Sequence, residues 1–179
     1  MKIAKKILLS LAILIAVLLL VALFTQKDYV VEREISINKP KKEVFDYIKY
    51  LKNQNEYSVW AKMDPAMKKE FKGTDATVGF VSAWESDSAD VGQGEQEIKK
   101  IIDGERIETE IRFIKPFESI APSYMTTDSI DVGQTKVKWA FEGHTPYPMN
   151  LMLLFFDMET MIGGDLEKGL ANLKVILEK

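Results

Sequence analysis

The sequence predicts an α+β protein: an antiparallel sheet of about seven strands wrapped around one long C-terminal helix, preceded by a transmembrane helix. Three observations predict it. Residues 7–24 form one uncharged apolar run. Between residues 29 and 142, successive segments alternate apolar and polar residues. From Met149 the apolar residues instead recur every three or four positions. A period of two marks a strand with one buried face, and a period near 3.6 marks one face of a helix.

The apolar run Ile7 to Phe24 reads ILLSLAILIAVLLLVALF, 18 residues without a charge. As a helix it spans ~27 Å, against a bilayer core of ~30 Å. A cleaved signal peptide has an apolar region of ~7–15 residues followed by small residues at the cleavage site. This run is longer, and its exit, Val21-Ala22-Leu23-Phe24-Thr25-Gln26-Lys27, is bulky. A buried globular helix is seldom apolar on every face. An uncleaved signal anchor is therefore expected. Lys2, Lys5 and Lys6 precede it, so the positive-inside rule puts the N-terminus in the cytoplasm. The expected division is an anchor segment, 1–27, and a periplasmic or extracellular domain, 28–179.

Residues 31–37 alternate, with Val31, Arg33, Ile35 and Ile37 on one side. Arg33 is the one polar residue on that side. Asn38-Lys39-Pro40 has the form of a helix start, with a capping side chain and Pro in the first turn. Val44, Phe45, Ile48 and Leu51 then follow at helical spacing. A second short helix and a loop are expected over 53–66. Strands are expected at 68–72, 78–85, 91–102, 106–113, 118–130 and 136–142. Gly92 and Gly94 inside the third of these predict a bulge or bend. The final helix is expected to run from Met149 almost to the end. Gly163-Gly164 interrupts its pattern, which implies a kink or a close approach of backbone to sheet.

Composition narrows the function. The chain has 179 residues, a usual size for one domain. It has no cysteine, which excludes disulfides, thiolate metal sites and a Cys nucleophile. The net charge is -3. Residues 1–27 carry +4, which leaves -7 on the domain. An acidic domain is a poor match for a nucleic-acid backbone.

Four stretches carry a resemblance: VEREISINKPKKEVFDYI (31–48), YSVWAKMDPAM (57–67), VGFVSAWES (78–86) and PMNLMLLFFDMETMIGGDLEKGLANLK (148–174). With the order of elements, they make the chain similar to the START-like, or SRPBCC, superfamily, in its polyketide cyclase/dehydrase-like branch. The resemblance implies a helix-grip fold with an apolar pocket between sheet and helix. It does not imply one activity, because that fold serves lipid carriers, receptors, cyclases and chaperone activators. The iron-binding oxygenase branch is not implied, since the chain has a single His.

Candidate pocket residues follow from strand parity. Phe80, Ser82 and Trp84 share one side of a strand, Thr109 and Phe113 one side of another, and Trp139 and Phe141 one side of a third. Trp60, Phe155 and Met158 complete the apolar candidates, and Tyr124 offers a hydroxyl. Each aromatic is equally readable as core packing between sheet and helix. The parity of 118–130 is ambiguous, which leaves the side of Tyr124 open. His144 has the right chemistry for acid–base work but stands at a strand end beside Pro146 and reads as a surface residue. Glu85, Asp87 and Asp90 read as a solvated loop. No residue pattern implies a metal or cofactor. The expected function is a membrane-anchored domain binding a hydrophobic small molecule or lipid. A cyclase or dehydratase using the same cavity, and a protein-interaction domain, are the alternatives.

Overall fold

The computed structural model describes residues 2–88 and 90–179. The elements, in chain order, are α1 (Lys2–Phe24), β1 (Asp28–Ile37), α2 (Lys41–Ile48), α3 (Leu51–Tyr57), β2 (Lys68–Lys72), β3 (Val81–Glu85), β4 (Gln93–Ile102), β5 (Arg106–Lys115), β6 (Ser119–Asp131), β7 (Gln134–His144) and α4 (Met158–Leu177). Short 3-10 turns occupy Trp60–Lys62 and Met149–Leu154. The seven strands form one antiparallel sheet in the order β1-β7-β6-β5-β4-β3-β2. Each hairpin neighbour is next in sequence except β1, which closes against β7.

The register sorts side chains into rows. Ile98, Thr109, Ser123, Phe141 and Val31 lie across the sheet in one row. Ile107, Met125, Trp139 and Arg33 lie in another. Both rows face the concave side, where α4 packs. That settles β6: Ala121, Ser123, Met125 and Thr127 are buried, while Tyr124 faces outward. On α4, Leu166, Leu170, Leu173 and Leu177 are buried against this face. Fully burying one such side chain contributes ~1.5–3 kcal/mol.

Arg33 and Gly163 explain each other. The Arg33 guanidinium bonds to Glu159 at 2.5 Å (Nη1 to Oε1) and 3.0 Å (Nη2 to the carbonyl oxygen). A Cβ on Gly163 would stand 2.1 Å from Arg33 Nη2. Gly163 therefore marks a close approach, whereas a Cβ on Gly164 would meet nothing within 4 Å, and α4 runs unbroken through both.

Four sequence expectations need correction. The final helix does not start at Met149. Asp157 caps a fresh helix there, accepting from the Thr160 amide at 3.1 Å, so α4 begins at Met158. Leu51 starts α3 rather than ending α2, because the Asp75 carboxylate accepts from the Leu51 and Lys52 amides at 2.9 and 3.0 Å. Asn38 does not cap α2; its side-chain oxygen accepts from Gln134, and Pro40 occupies the cap without a side-chain bond. Residues 78–80 precede β3, since Gly79 turns at φ +88. Phe80 nevertheless keeps the ladder geometry, its carbonyl accepting from the Ile98 amide at 3.0 Å. The expected bulge is present, at Gln93/Gly94.

Candidate functional site

Between α3, α4 and the concave sheet lies a cavity of about 280 Å³. Its floor is two rows of the sheet, Ser82–Gln96–Ile111 and Trp84–Gly94–Phe113. Phe141 and Ile162 close it on the α4 side, and Trp60 and Ala61 lie across it. On α3 it is walled by Leu51, Gln54, Asn55 and Ser58, a spacing of three and four that puts them on one helical face.

Trp84 is held in place on three sides. Its ring crosses Gly94, where a Cβ would approach to 2.5 Å. It meets the Phe113 ring edge-on at 6.1 Å, and its Nε1 donates to the Val91 carbonyl at 3.4 Å. A residue with any side chain at position 94 would displace that ring. Trp60 is similarly fixed, edge-on to Trp139 at 6.1 Å. The loops beside the cavity are tied together by the Ser86 hydroxyl, which donates to Asp64. That bond, with a second from the Ala66 amide, holds the Asp64 carboxyl below the usual carboxylate range.

The polar residues of the lining are Gln54, Asn55, Ser58, Ser82 and Gln96 with the charged Lys69 and Asp90. Gln96 Nε2 donates to Thr109 Oγ1 at 2.9 Å, and Thr109 donates onward to the Ser123 carbonyl at 3.3 Å. This chain fixes the amide orientation, with Ser82 opposite Gln96 in the register. A mostly apolar enclosure with one or two oriented polar groups is the usual form of a small-molecule site.

Of the sequence candidates, the cavity brings together Trp60, Ser82, Trp84, Phe113 and Phe141. Phe80, Thr109 and Trp139 are buried behind it. Trp139 packs at 5.6 Å from the Tyr57 ring, and burial pushes the Tyr57 hydroxyl pKa up. Tyr124 lies on the convex face. There it donates to Glu32 at 2.9 Å, under the Arg106 guanidinium, 3.7 Å from the ring centroid. Burial and the Glu32 carboxylate raise its pKa. Phe155 and Met158 are not on the cavity side, because the chain breaks at Asp157. Phe155 is 79% exposed, and both line an open groove where α1 meets β1. His144 is exposed and contacts Asp28 at 2.6 Å. Among the described residues, no group of three or more His, Asp or Glu is placed to hold a metal ion.

Parity reasoning missed Gln96, the α3 face and Ile162. Gln96 shares the side of Ile98 on β4, which was the available signal. The α3 face carries mixed polarity and gave no apolar stripe.

No family model and no curated protein matches the chain. Solved structures do. A protein of Nitrosospira multiformis aligns at a TM-score of 0.59 and 16% identity, covering 83% of this chain and 96% of its own. Ara h 8.0201 aligns at 0.53 and 15%, covering 84% and 97%. Norcoclaurine synthase from Thalictrum flavum, in complex with dopamine and hydroxybenzaldehyde, aligns at 0.61 and 10%, covering 87% and 89%. At such identities the likeness establishes architecture alone, and by it this chain has the helix-grip fold, an antiparallel sheet around a long C-terminal helix.

Proposed function

We propose that the chain is a membrane-anchored domain that holds a hydrophobic small molecule, or the end of a lipid chain, between sheet and α4. The observation that carries this is the cavity walled by Trp60, Trp84, Phe113 and Phe141, with Ser82 and the oriented Gln96 amide among its polar groups. Its volume, about 280 Å³, stands at the low end of the ~300–1,000 Å³ of small-molecule sites. One ring system or a single acyl segment suits it better than a two-chain lipid. The anchor is α1: the most apolar 18-residue window within residues 3–24 has a mean hydropathy of 3.3, and 6% of it is buried. With Lys2, Lys5 and Lys6 at the N-terminal end of α1, ahead of the uncharged run 7–24, residues 1–27 enter from the cytoplasm and 28–179 lie on the opposite side. A polyketide cyclase-like reaction in the same cavity finds less support, because Tyr124 and His144 both lie outside it.

The test is photo-crosslinking of full-length protein in phosphatidylcholine nanodiscs with a medium-chain fatty acid bearing a diazirine. Adducts are expected on cavity peptides containing Trp84, Phe113 or Ile162. Ser82→Leu, which fills the floor without touching the core, should remove those adducts while leaving the circular dichroism spectrum unchanged. Adducts confined to α1, or undiminished by Ser82→Leu, would overturn the assignment of this cavity.

A further inference from the structure

The exposed apolar side chains of the domain are unevenly placed. In the register, Asp28 pairs with His144, Ser123 with Phe141 and Phe113 with Ser119. The start of β1, the end of β7 and the β5–β6 turn therefore share one end of the sheet. That end carries Phe117 on the β5–β6 turn, Ile120 at the start of β6, and Met149, Leu154, Phe155 and Phe156 in the segment between β7 and α4. All six are exposed, Phe117 at 81%. At the opposite end the β6–β7 turn, Asp131-Val132-Gly133, carries Val132, with Ile130 just before it in β6, so two exposed apolar residues stand there against six. Apolar residues scattered singly over a surface need no explanation, but two adjoining segments of them mark a contact.

The same end receives α1. Only Thr25, Gln26 and Lys27 separate α1 from β1, a span of at most ~10 Å. The join is also fixed. Asn150, in the second apolar segment, is fully buried and donates from Nδ2 to the carbonyls of Ala22 and Thr25, both at 2.8 Å. The Thr145 amide donates to the Lys27 carbonyl at 2.8 Å. If α1 spans a bilayer, this end of the domain cannot leave its surface.

We infer that the β5–β6 turn and the Met149–Phe156 segment are seated in the interface of the bilayer that α1 spans, and hold toward the lipid the part of the cavity lined by Asp90 and Val91, which lies at the same end because Gln93 pairs with Lys115. The inference rests on the anchor reading above. The occupant is the membrane itself because the tether allows it no distance and because the Met149–Leu154 turn packs directly against the end of the apolar α1. Side chains such as Phe, Leu and Met lying beside a polar surface suit shallow burial at the headgroup–acyl boundary. Held this way, the cavity exchanges its ligand with the membrane rather than with bulk water.

The chain has no native cysteine, so each introduced Cys carries the label alone. Nitroxides at F117C, F155C, V132C and L14C of full-length protein, in vesicles of phosphatidylcholine and phosphatidylglycerol, report collisions with oxygen and with a water-soluble nickel chelate. All four positions are exposed, so the substitutions leave the fold intact. At positions 117 and 155 the ratio of oxygen to nickel collisions should exceed that at 132 severalfold. A ratio equal to that at 132 overturns the inference. Loss of both collisions marks a protein contact, such as a second copy, and also overturns it. Position 14 separates the two readings. Oxygen-rich at 14 with aqueous loops removes the interfacial seat and keeps the anchor, whereas nickel-accessible at 14 removes both.

Discussion

A Cβ at Gly94 would stand 2.5 Å from Trp84 Cζ2 and 2.6 Å from the Arg112 carbonyl oxygen. The first neighbour is a ring that defines the cavity, and the second is backbone in the next strand. Gly94→Ala is therefore expected to destabilise the domain by ~1–3 kcal/mol, the usual range for overpacking, and to weaken binding of the diazirine fatty acid. Urea unfolding and crosslink yield check the two halves; a variant with both unchanged would show that the ring is free to move. The same residue shows what strand parity reveals. Alternation placed Ser82, Trp84, Phe113 and Phe141 on the correct side, and a glycine inside a strand announced an irregularity there. Parity gives a side of the sheet, but not a depth. It therefore could not separate Phe113, on the cavity floor, from Trp139, three same-face rows along the sheet and buried in the core. Tyr124 had the opposite parity to Ser123 and Met125. Their modest apolarity left the orientation open until cross-strand partners fixed it.

At the scale of elements, the convex face of the sheet is held by charge. Arg112 on β5 bonds to Glu95 and Glu97 on β4 at 2.7 Å each, and to Glu110 at 2.5 Å. Arg112 holds the Glu97 carboxyl below its ordinary value near 4.5, against a smaller opposing effect of burial. A carboxyl whose pKa is lower when folded adds stability above its unfolded pKa and loses it as pH falls through the folded value. Glu97→Gln should thus be less stable than the parent near neutral pH, by no more than ~1 kcal/mol for so exposed a pair. The gap should close as pH falls from about 6 to about 3, which urea midpoints across that range measure. A gap that stayed constant would mean that the pair contributes nothing through ionisation. Elements were the most legible part of the sequence, since each has a period that a buried face imposes. Their ends were less so. Asp75 caps α3 from 24 residues away, and Asp157 restarts the last helix inside an unbroken apolar pattern. Both depend on side-chain bonds that periodicity does not encode.

For the whole molecule, the question is whether α1 and the domain move as one piece. Asn150 decides it. The side chain is fully buried, its Nδ2 joins the end of α1 to the segment before α4, and among the described residues its Oδ1 has no hydrogen-bond partner. A polar group kept in that position implies that the two amide bonds outweigh the cost of the orphaned oxygen. Removing the side chain leaves the Ala22 and Thr25 carbonyls short of a donor, typically ~1–3 kcal/mol for buried groups. The sheet does not depend on these bonds, since its ladders and the α4 face are complete without α1. Asn150→Ala should therefore spare the sheet and loosen the mount. Spin labels at L14C and V132C, one on α1 and one at the far end of the sheet, measure this by double electron–electron resonance in phosphatidylcholine nanodiscs. A narrow distance distribution is expected for the parent and a broadened one for the Asn150→Ala background. A distribution equally narrow in both would show that the three-residue connection and the Thr145–Lys27 bond hold the domain without Asn150. The buried amide would then have no role in setting how the cavity faces the membrane.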